Sequence, residues 1–420
     1  MFDMQNYGDL LFPLVARNRL APLGIDVVPV APTARSTGLA DALDPVDIQA
    51  MLSDPQPADG IVIGGGYIIH NHQVDLLEEY RIGDLADWAG PGLWFGATMA
   101  GALRDIPVVW NAPGVPHPLP RPQRTAIDAA LRATDYVSVR DRGGALLLAA
   151  PNDVPVEIVP DPIAELASLW PRAGLDDDFR ALLQRKGADR ESRLAAIHVR
   201  NRSLADIPLP EAAAMLSNFA EAHSVTPVLI ALGQSHEDDK VAQVLSAHLR
   251  VPHIVLDDAA SLREVAAAIA NSAVYVGASL HGYITAAAYG VPAVLVARPA
   301  YRKFAGFLEH TGRMDDLAKD WASALVLGAK RLAEDRLPGM PDSVLRALDQ
   351  HWARIAAALS DPAAKRAART DLLRSYIRFG TESAGPGWLH RPLLRRAAAP
   401  SGGQSRSMAE RLRLVSEAES

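Results

Sequence analysis

The chain has 420 residues, enough for two domains with cores of their own, and 49% of them are apolar without any apolar run long enough to span a bilayer. It contains no cysteine, which excludes disulfides, thiolate metal sites and cysteine nucleophiles. A net charge of −7 argues against a general nucleic-acid binder, whose phosphate contacts need a basic surface, and the amino terminus lacks the basic-then-apolar pattern of a secretory signal. A soluble cytoplasmic enzyme is the default expectation.

Met1-Phe2-Asp3-Met4 runs straight into Asn6-Tyr7-Gly8-Asp9, a turn that normally follows a strand. Either the first strand is very short or the natural start lies upstream; the second is favoured. Asn6 to Asp9 followed by Leu10-Leu11-Phe12 reads as a loop entering a helix. Helix capping is the simplest role for Asp9.

Three apolar runs follow in the first half. Gly60-Ile61-Val62-Ile63 leads into Gly64-Gly65-Gly66, Pro107-Val108-Val109-Trp110 into Asn111-Ala112-Pro113-Gly114, and Tyr136-Val137-Ser138-Val139 into Arg140-Asp141. Apolar runs ending in glycine or polar turns are the pattern of buried parallel strands. Residues 125 to 133 fit a helix between them. The glycine triplet permits close backbone approach to a ligand but does not continue into a dinucleotide fingerprint. Taken alone, Arg140-Asp141 reads as a salt-bridged surface turn. Trp88, Trp94 and Phe95 fall in a Gly/Pro-bearing segment between helices, where packing is their simplest role. His70-Asn71-His72 is too close for two facing helical metal ligands, and neither HExxH nor a G-x-S-x-G elbow occurs; no metal is expected.

A polar, proline-bearing stretch from about 160 to 192 separates this series from a second one. Leu194 to Val199 is an apolar strand closed by Arg200-Asn201, so the Arg200 guanidinium should project from a strand end, as a planar bidentate donor for carboxylate or phosphate. Strands at 227–232 and 253–256 follow, the latter ending in Asp257-Asp258. Next comes a helix with Leu262, Val265, Ala266 and Ile269 on one face and a capping-box pattern, Ser261 and Glu264, at its start.

Residues 273 to 297 read as strand, tight turn, helix, strand, with Ser279-Leu280-His281-Gly282 in the turn. That puts the His281 imidazole at the carboxyl end of a strand and the amino end of a helix, where open α/β sheets bind ligands and where free N–H groups favour anions. Arg298, Arg302 and Lys303 then make this edge locally positive. Residues 317 to 380 read as helices packing on the second domain or crossing back to the first. From Glu382 onward a disordered tail is expected, with a linker at Ser401-Gly402-Gly403 and a frayed helix over Met408 to Glu419. The fold class is therefore α/β, with two doubly wound domains facing a cleft: an N-terminal Rossmann-like domain over 1–165, a C-terminal one over 190–330, helices over 331–380 and a tail over 382–420.

In order, Asn-x-Gly-Asp at 6–9, Gly-Gly-Gly at 64–66, Ser-x-Arg-Asp at 138–141, Asp161-Pro162, Arg200, Leu-His-Gly at 280–282 and Tyr-x-Lys at 301–303 form a set. With this set, over about residues 5 to 310, the chain resembles the polysaccharide pyruvyl transferase family. The resemblance implies a glycosyltransferase-B-like fold and transfer of pyruvate from phosphoenolpyruvate to a sugar as a ketal, in exopolysaccharide or cell-surface polysaccharide synthesis. It implies His281 as the catalytic general acid and Arg200 and Lys303 as the grip on the donor. Asn6, Asp9, Gly64, Gly65, Gly66, Arg140, Ser279, Gly282 and Arg302 complete the substrate-binding set. No cofactor is implied beyond the donor itself. The partner is a saccharide acceptor, a lipid-linked one included, met in the cytoplasm or at the inner face of the membrane. One departure matters: many members carry arginine immediately before Leu-His, where this chain has Ser279, so either Arg298 or Arg302 supplies the missing cation or the donor differs. The alternatives are a nucleotide-sugar glycosyltransferase, with Asp257 or Asp258 holding the ribose, and a non-catalytic saccharide-binding relative.

Overall fold

The computed structural model describes residues 1–53, 58–74, 80–81, 84–189, 191–334, 336, 338–361 and 364–390. Short β-branched segments in the first half become β1 (Val30–Ala31), β2 (Val46–Asp47), β3 (Ile61–Gly64), β4 (Val108–Asn111), β5 (Val137–Val139) and β6 (Val156–Ile158). β1 pairs with β2, β3 with β4 and β5 with β6, all parallel, and a parallel bridge between Val109 and Tyr136 joins the last two pairs. Parallel strands need helical crossovers, and Ala97–Arg104 and Arg124–Ala133 supply two of them.

The second half forms one six-stranded sheet from β7 (Leu194–His198), β8 (Thr226–Ile230), β9 (Ile254–Leu256), β10 (Val274–Gly277), β11 (Ala293–Val296) and β12 (Leu317–Ala318). Its order is β12-β11-β10-β7-β8-β9, and every pairing is parallel. The chain winds outward from β7 through β8 to β9, then returns to the other side of β7 as β10. The switch point therefore lies between β7 and β10, with Gly277 in register with His198. The crevice at that point is where an open α/β sheet takes its ligand. Both faces are covered, so the strands are almost wholly apolar: every residue of β7, β10 and β11 is buried, with His198 the one basic side chain among them. The molecule is thus α/β, with parallel strands in both halves: bridged pairs in the first and a six-stranded sheet of Rossmann-like order in the second.

The expected helix over residues 262–270 is present, with a division of labour at its start. Ser261 accepts from the Glu264 N–H (3.0 Å), while the Glu264 carboxylate takes the Ala260 N–H rather than that of Ser261. Asp41 accepts from both Leu262 and Arg263 N–H groups (2.7 and 2.9 Å).

Four expectations change. Residues 1–6 form no strand; the helix Tyr7–Leu20 begins directly behind them and is held on the second sheet's side by the Tyr7 N–H bonding the Leu232 carbonyl (2.7 Å). Asp9 does not cap that helix: it lies within its first turn and accepts from the Asn6 amide (3.2 Å). The segment holding Trp88, Trp94 and Phe95 is helical, with a π turn at Gly92–Gly96, and Gly90 and Gly92 let it pack closely against His72 and Trp88. Trp94 is fully buried there. Finally, residues 382–384 end the helix Arg366–Ala384, and Gly387–His390 forms a further turn, so the expected tail does not begin at 382. The rest of that tail, including Ser401-Gly402-Gly403 and Met408 to Glu419, lies outside the described residues.

The helix Trp321–Leu332 packs on β10 and β11, while Asp342–Leu359 returns to β4. There His351 bonds Asn111 Oδ1 through Nε2 and Tyr136 Oη through Nδ1, both at 2.9 Å. Residues Met1–Leu373 make one compact unit. In the second, Trp388 meets Tyr376 edge-on at 5.9 Å and covers Gly380. Among the described residues no helix is long and apolar enough to cross a membrane.

Candidate functional site

At the switch point, β7 delivers Arg200 and β10 delivers the turn with His281. Arg200 is partly exposed, and its Nε lies 3.4 Å from Asp238 Oδ1. The other Asp238 oxygen meets Nε2 of fully buried His198 at 3.0 Å. Burial opposes ionisation of Asp238, but His198, Arg200 and His236 together hold its carboxyl below the usual range. The arginine is therefore fixed along its Nε edge by a buried carboxylate.

Across the switch point, Ser279 caps the helix Leu280–Ala288 by accepting from the Gly282 N–H (3.4 Å). The cap places His281 in the first turn, where Thr285 returns a hydrogen bond to its carbonyl (2.8 Å). The ring is wedged. Phe12 meets it edge-on at 5.9 Å, and a Cβ on Gly8 would overlap the imidazole around Nδ1. Only glycine at position 8 lets the first helix approach this closely.

The Nε2 edge of His281 faces Asp161 Oδ2 at 3.7 Å, and Nη1 of Arg140 lies 3.3 Å from the same oxygen. The Asp161 Oδ1 accepts from the Ile163 N–H (3.1 Å), fixing the carboxylate at the start of a turn that packs against the His281 helix. Burial pushes the Asp161 carboxyl up, yet the His281 ring, Arg140 and the Ile163 N–H outweigh it and hold it below the ordinary value. Asp161 is thus a buried anion between histidine and arginine.

Arg140 and Asp141 correct the surface-turn expectation. Both are buried, because Arg140 is drawn inward by Asp161 and by the Tyr67 ring, 4.6 Å from its Cζ, while Asp141 caps the next helix through the Gly144 N–H (2.5 Å). The same Tyr67 ring lies 5.2 Å from Lys303 Nζ, which also touches Tyr301 and Phe304. Burial, followed by repulsion from Arg140 and Arg200, pushes Lys303 down to about 7, with Asp9 and Asp161 opposing. His236 stands at the cleft surface. Surrounding protein, then Arg200 and Lys303, push its ring down to about 4 against Asp238 and Asp9. Three cations thus crowd one small volume, interleaved with the carboxylates of Asp9, Asp161 and Asp238. Nε of Arg200 and Nε2 of His281 face the buried carboxylates of Asp238 and Asp161 at 3.4 and 3.7 Å without closing a hydrogen bond, and Nε of Arg140 is buried with no partner. Buried polar groups left in this state are unusual in a folded chain, and a small anion among the cations would engage the two arginines.

The remaining expected residues divide. Asn6 and Asp9 reach the site, and Asp9 Oδ1 would lie 2.8 Å from a Cβ on Gly66, so carboxylate and glycine loop are in contact. Gly65 has φ +119°, which requires glycine, whereas Gly64 and Gly282 are glycine for packing against Asn111 and Tyr275. Ser279 is used as a cap. Arg302 bonds the Val115 carbonyl (2.9 Å) and pairs with Asp141 (3.8 Å); Arg298 pairs with Asp206 (3.8 Å) at the surface. Arg302 and Arg298 are thus both engaged by other partners. Tyr67, His198, His236 and Asp238 belong to the site without having been singled out. Among the described residues no group of His, Asp or Glu has the arrangement of a metal site.

The polysaccharide pyruvyl transferase family model matches residues 6–299. No curated protein matches the chain. Among solved structures, a putative UDP-N-acetylglucosamine 2-epimerase from Listeria monocytogenes is 12% identical, covers 90% of this chain and 95% of its own, and has a TM-score of 0.42. The UDP-GlcNAc 2-epimerase from Neisseria meningitidis is 11% identical over 68% of this chain and 73% of its own, with a TM-score of 0.39. An α,α-trehalose 6-phosphate synthase from Burkholderia multivorans is 15% identical over 80% and 85%, also at 0.39. Likenesses this slight carry no argument, and the fold rests on the parallel strands themselves. The family match spans the ordered motifs from Asn6 to Gly282 but ends before Tyr301 to Lys303, and the chain belongs to the polysaccharide pyruvyl transferase family.

Proposed function

We propose that this protein transfers pyruvate from phosphoenolpyruvate onto a saccharide as a ketal, in the synthesis of an exopolysaccharide or cell-surface polysaccharide. The observation that carries the reading is the gathering of cations at the switch point: Arg140, Arg200 and Lys303 crowd around His281 and Asp161, close enough that burial and the two arginines push Lys303 down to about 7. Phosphoenolpyruvate carries a carboxylate and a phosphate, so it needs positive charge at two places. The fork of Arg200 suits one, and Lys303 with Arg140 suits the other.

In this account the His281 imidazolium gives a proton to the methylene carbon of the donor, making a methyl group and leaving positive charge shared between the central carbon and its oxygen. A sugar hydroxyl adds to that carbon and returns its proton to His281. The carbon–oxygen bond to phosphate then breaks, and a second hydroxyl of the same sugar adds, its proton leaving with the phosphate. One phosphoenolpyruvate and two hydroxyls give one ketal and one phosphate. General acid catalysis of this kind contributes about 10²- to 10⁴-fold. The buried Asp161 orients the ring, and Gly8 leaves it one position.

The nucleotide-sugar alternative loses its ribose acids. Asp257 is taken by Gln243 and Lys186, and Asp258 by Arg185 and Lys186. The test is to incubate the purified protein with phosphoenolpyruvate and galactose- or glucose-bearing oligosaccharides. Phosphate release with a mass gain of one pyruvyl group on the sugar supports the reading. No turnover, with thermal stabilisation by nucleotide-sugars alone, overturns it.

A further inference from the structure

Beyond Tyr67 the chain runs to three histidines that the donor site does not use. His70 and His72 stack with centroids 6.0 Å apart, and His117, from the loop after β4, meets His72 edge-on at 5.1 Å. His72 and His117 are exposed. Their loop is nonetheless firmly held. The His72 N–H bonds His70 Nδ1 (3.2 Å), the fully buried Trp94 indole donates to the His70 carbonyl (3.1 Å) and Asn71 Oδ1 (3.2 Å), and the Asn71 amide donates to Gln123 Oε1 (2.5 Å). Gly90 packs so closely that a Cβ there would lie 2.6 Å from the His72 carbonyl. A merely solvated loop has no need of such fixing, whereas fixed polar groups reduce the entropy lost when a ligand binds.

The strip is continuous with the donor site. The Gly114 N–H bonds the Gly66 carbonyl (2.9 Å) and the Ile69 N–H bonds the Gly114 carbonyl (3.2 Å), so the segments 66–72 and 114–117 run together. One end is Tyr67, against Arg140 and Lys303; the other is His72 and His117. The chemistry changes along it. Burial, then repulsion from His72 and His117, pushes His70 down to about 4, so this end offers no charge from that ring. A neutral imidazole presents one donor and one acceptor, which suits a hydroxyl better than a phosphate.

Resting on the pyruvyl-transfer reading, we propose that this histidine strip is the acceptor subsite, where His72 and His117 hydrogen-bond hydroxyls of the sugar residue adjoining the one that receives pyruvate.

The experiment first fixes, with wild-type protein, a galactose- or glucose-bearing oligosaccharide that accepts pyruvate. His72→Ala, His117→Ala and the double variant are then compared on it. Each lost hydrogen bond raises the acceptor KM by about twofold to tenfold, with the donor KM and the melting temperature unchanged. His117→Asn, which retains a donor and an acceptor, recovers part of the loss. An acceptor KM within about twofold of wild type in the double variant, or an equal rise in donor KM, overturns the subsite. So does stoichiometric binding of Zn²⁺ or Ni²⁺ that the alanine variants abolish. Failure of the wild type to release phosphate with any oligosaccharide is a different outcome: it overturns the transfer reading, and the subsite with it.

Discussion

The ring of His281 and the carboxylate of Asp161 face each other at 3.7 Å in a place where the carboxylate is buried and Arg140 shares its outer oxygen. Removing either partner should have distinct effects. His281→Ala should abolish turnover and leave folding intact. Asp161→Asn keeps an acceptor for the Ile163 N–H but leaves the Arg140 charge uncompensated, and breaking a buried pair on one side costs about 3–5 kcal/mol. Its denaturation midpoint should fall well below that of His281→Ala. Equal stability of the two variants would show that Asp161 is not an anion.

Gly8→Ala places a methyl group where the imidazole of His281 now lies. The ring must move, and a displacement of about 1 Å in a reacting group can cost about 10²-fold. The circular dichroism spectrum should match wild type while kcat falls. Full activity would mean that the ring position is not critical.

Lys303 gives the pH dependence a defined sign. It loses its proton as pH rises through about 7, and a bound doubly charged donor draws that proton back. The donor KM should therefore rise between pH 7 and 9, by at most about tenfold per unit. Lys303→Arg stays charged and should flatten the curve. Folding behaves differently: because the pKa falls from 10.5 to about 7, the folded chain binds fewer protons than the unfolded one between these values, so this residue's contribution to stability improves as pH rises through that window. A donor KM independent of pH in wild type would remove Lys303 from the grip.

Asp238 is a positioning residue, holding Arg200 by its Nε edge. Asp238→Asn should raise the donor KM about tenfold, the scale of a weakened charge-assisted contact, with the acceptor KM unmoved. Arg200→Lys should do the same, because a point cation replaces a fork. Unchanged donor dependence in both would assign the donor to other residues.

Much of this was legible in the residues themselves. Apolar runs closed by glycine or polar turns located β3, β4, β5, β7, β8, β9, β10 and β11, because strands covered on both faces leave an unbroken apolar signal. The two-residue strands at Val30 and Leu317 leave no such signal. His281, Arg200 and Lys303 were readable because each sits just past a strand. Arg140 was misplaced to the surface: its burial depends on Asp161 and Tyr67, which are distant in sequence and meet it only in the folded chain. Asp238 and His198 were hidden for the same reason. Their pairing is set by the packing of the helix Asp238–Ser246 on β8 and β9, and no local pattern encodes it.

The most direct test runs the wild-type reaction in D₂O with phosphoenolpyruvate and an accepting oligosaccharide, and examines the product by mass spectrometry and NMR. Proton delivery from His281 to the donor's methylene carbon predicts a ketal whose methyl group carries one solvent deuterium, formed together with an equal amount of phosphate. Phosphate released without a pyruvylated sugar, or a ketal methyl free of deuterium, would contradict the account.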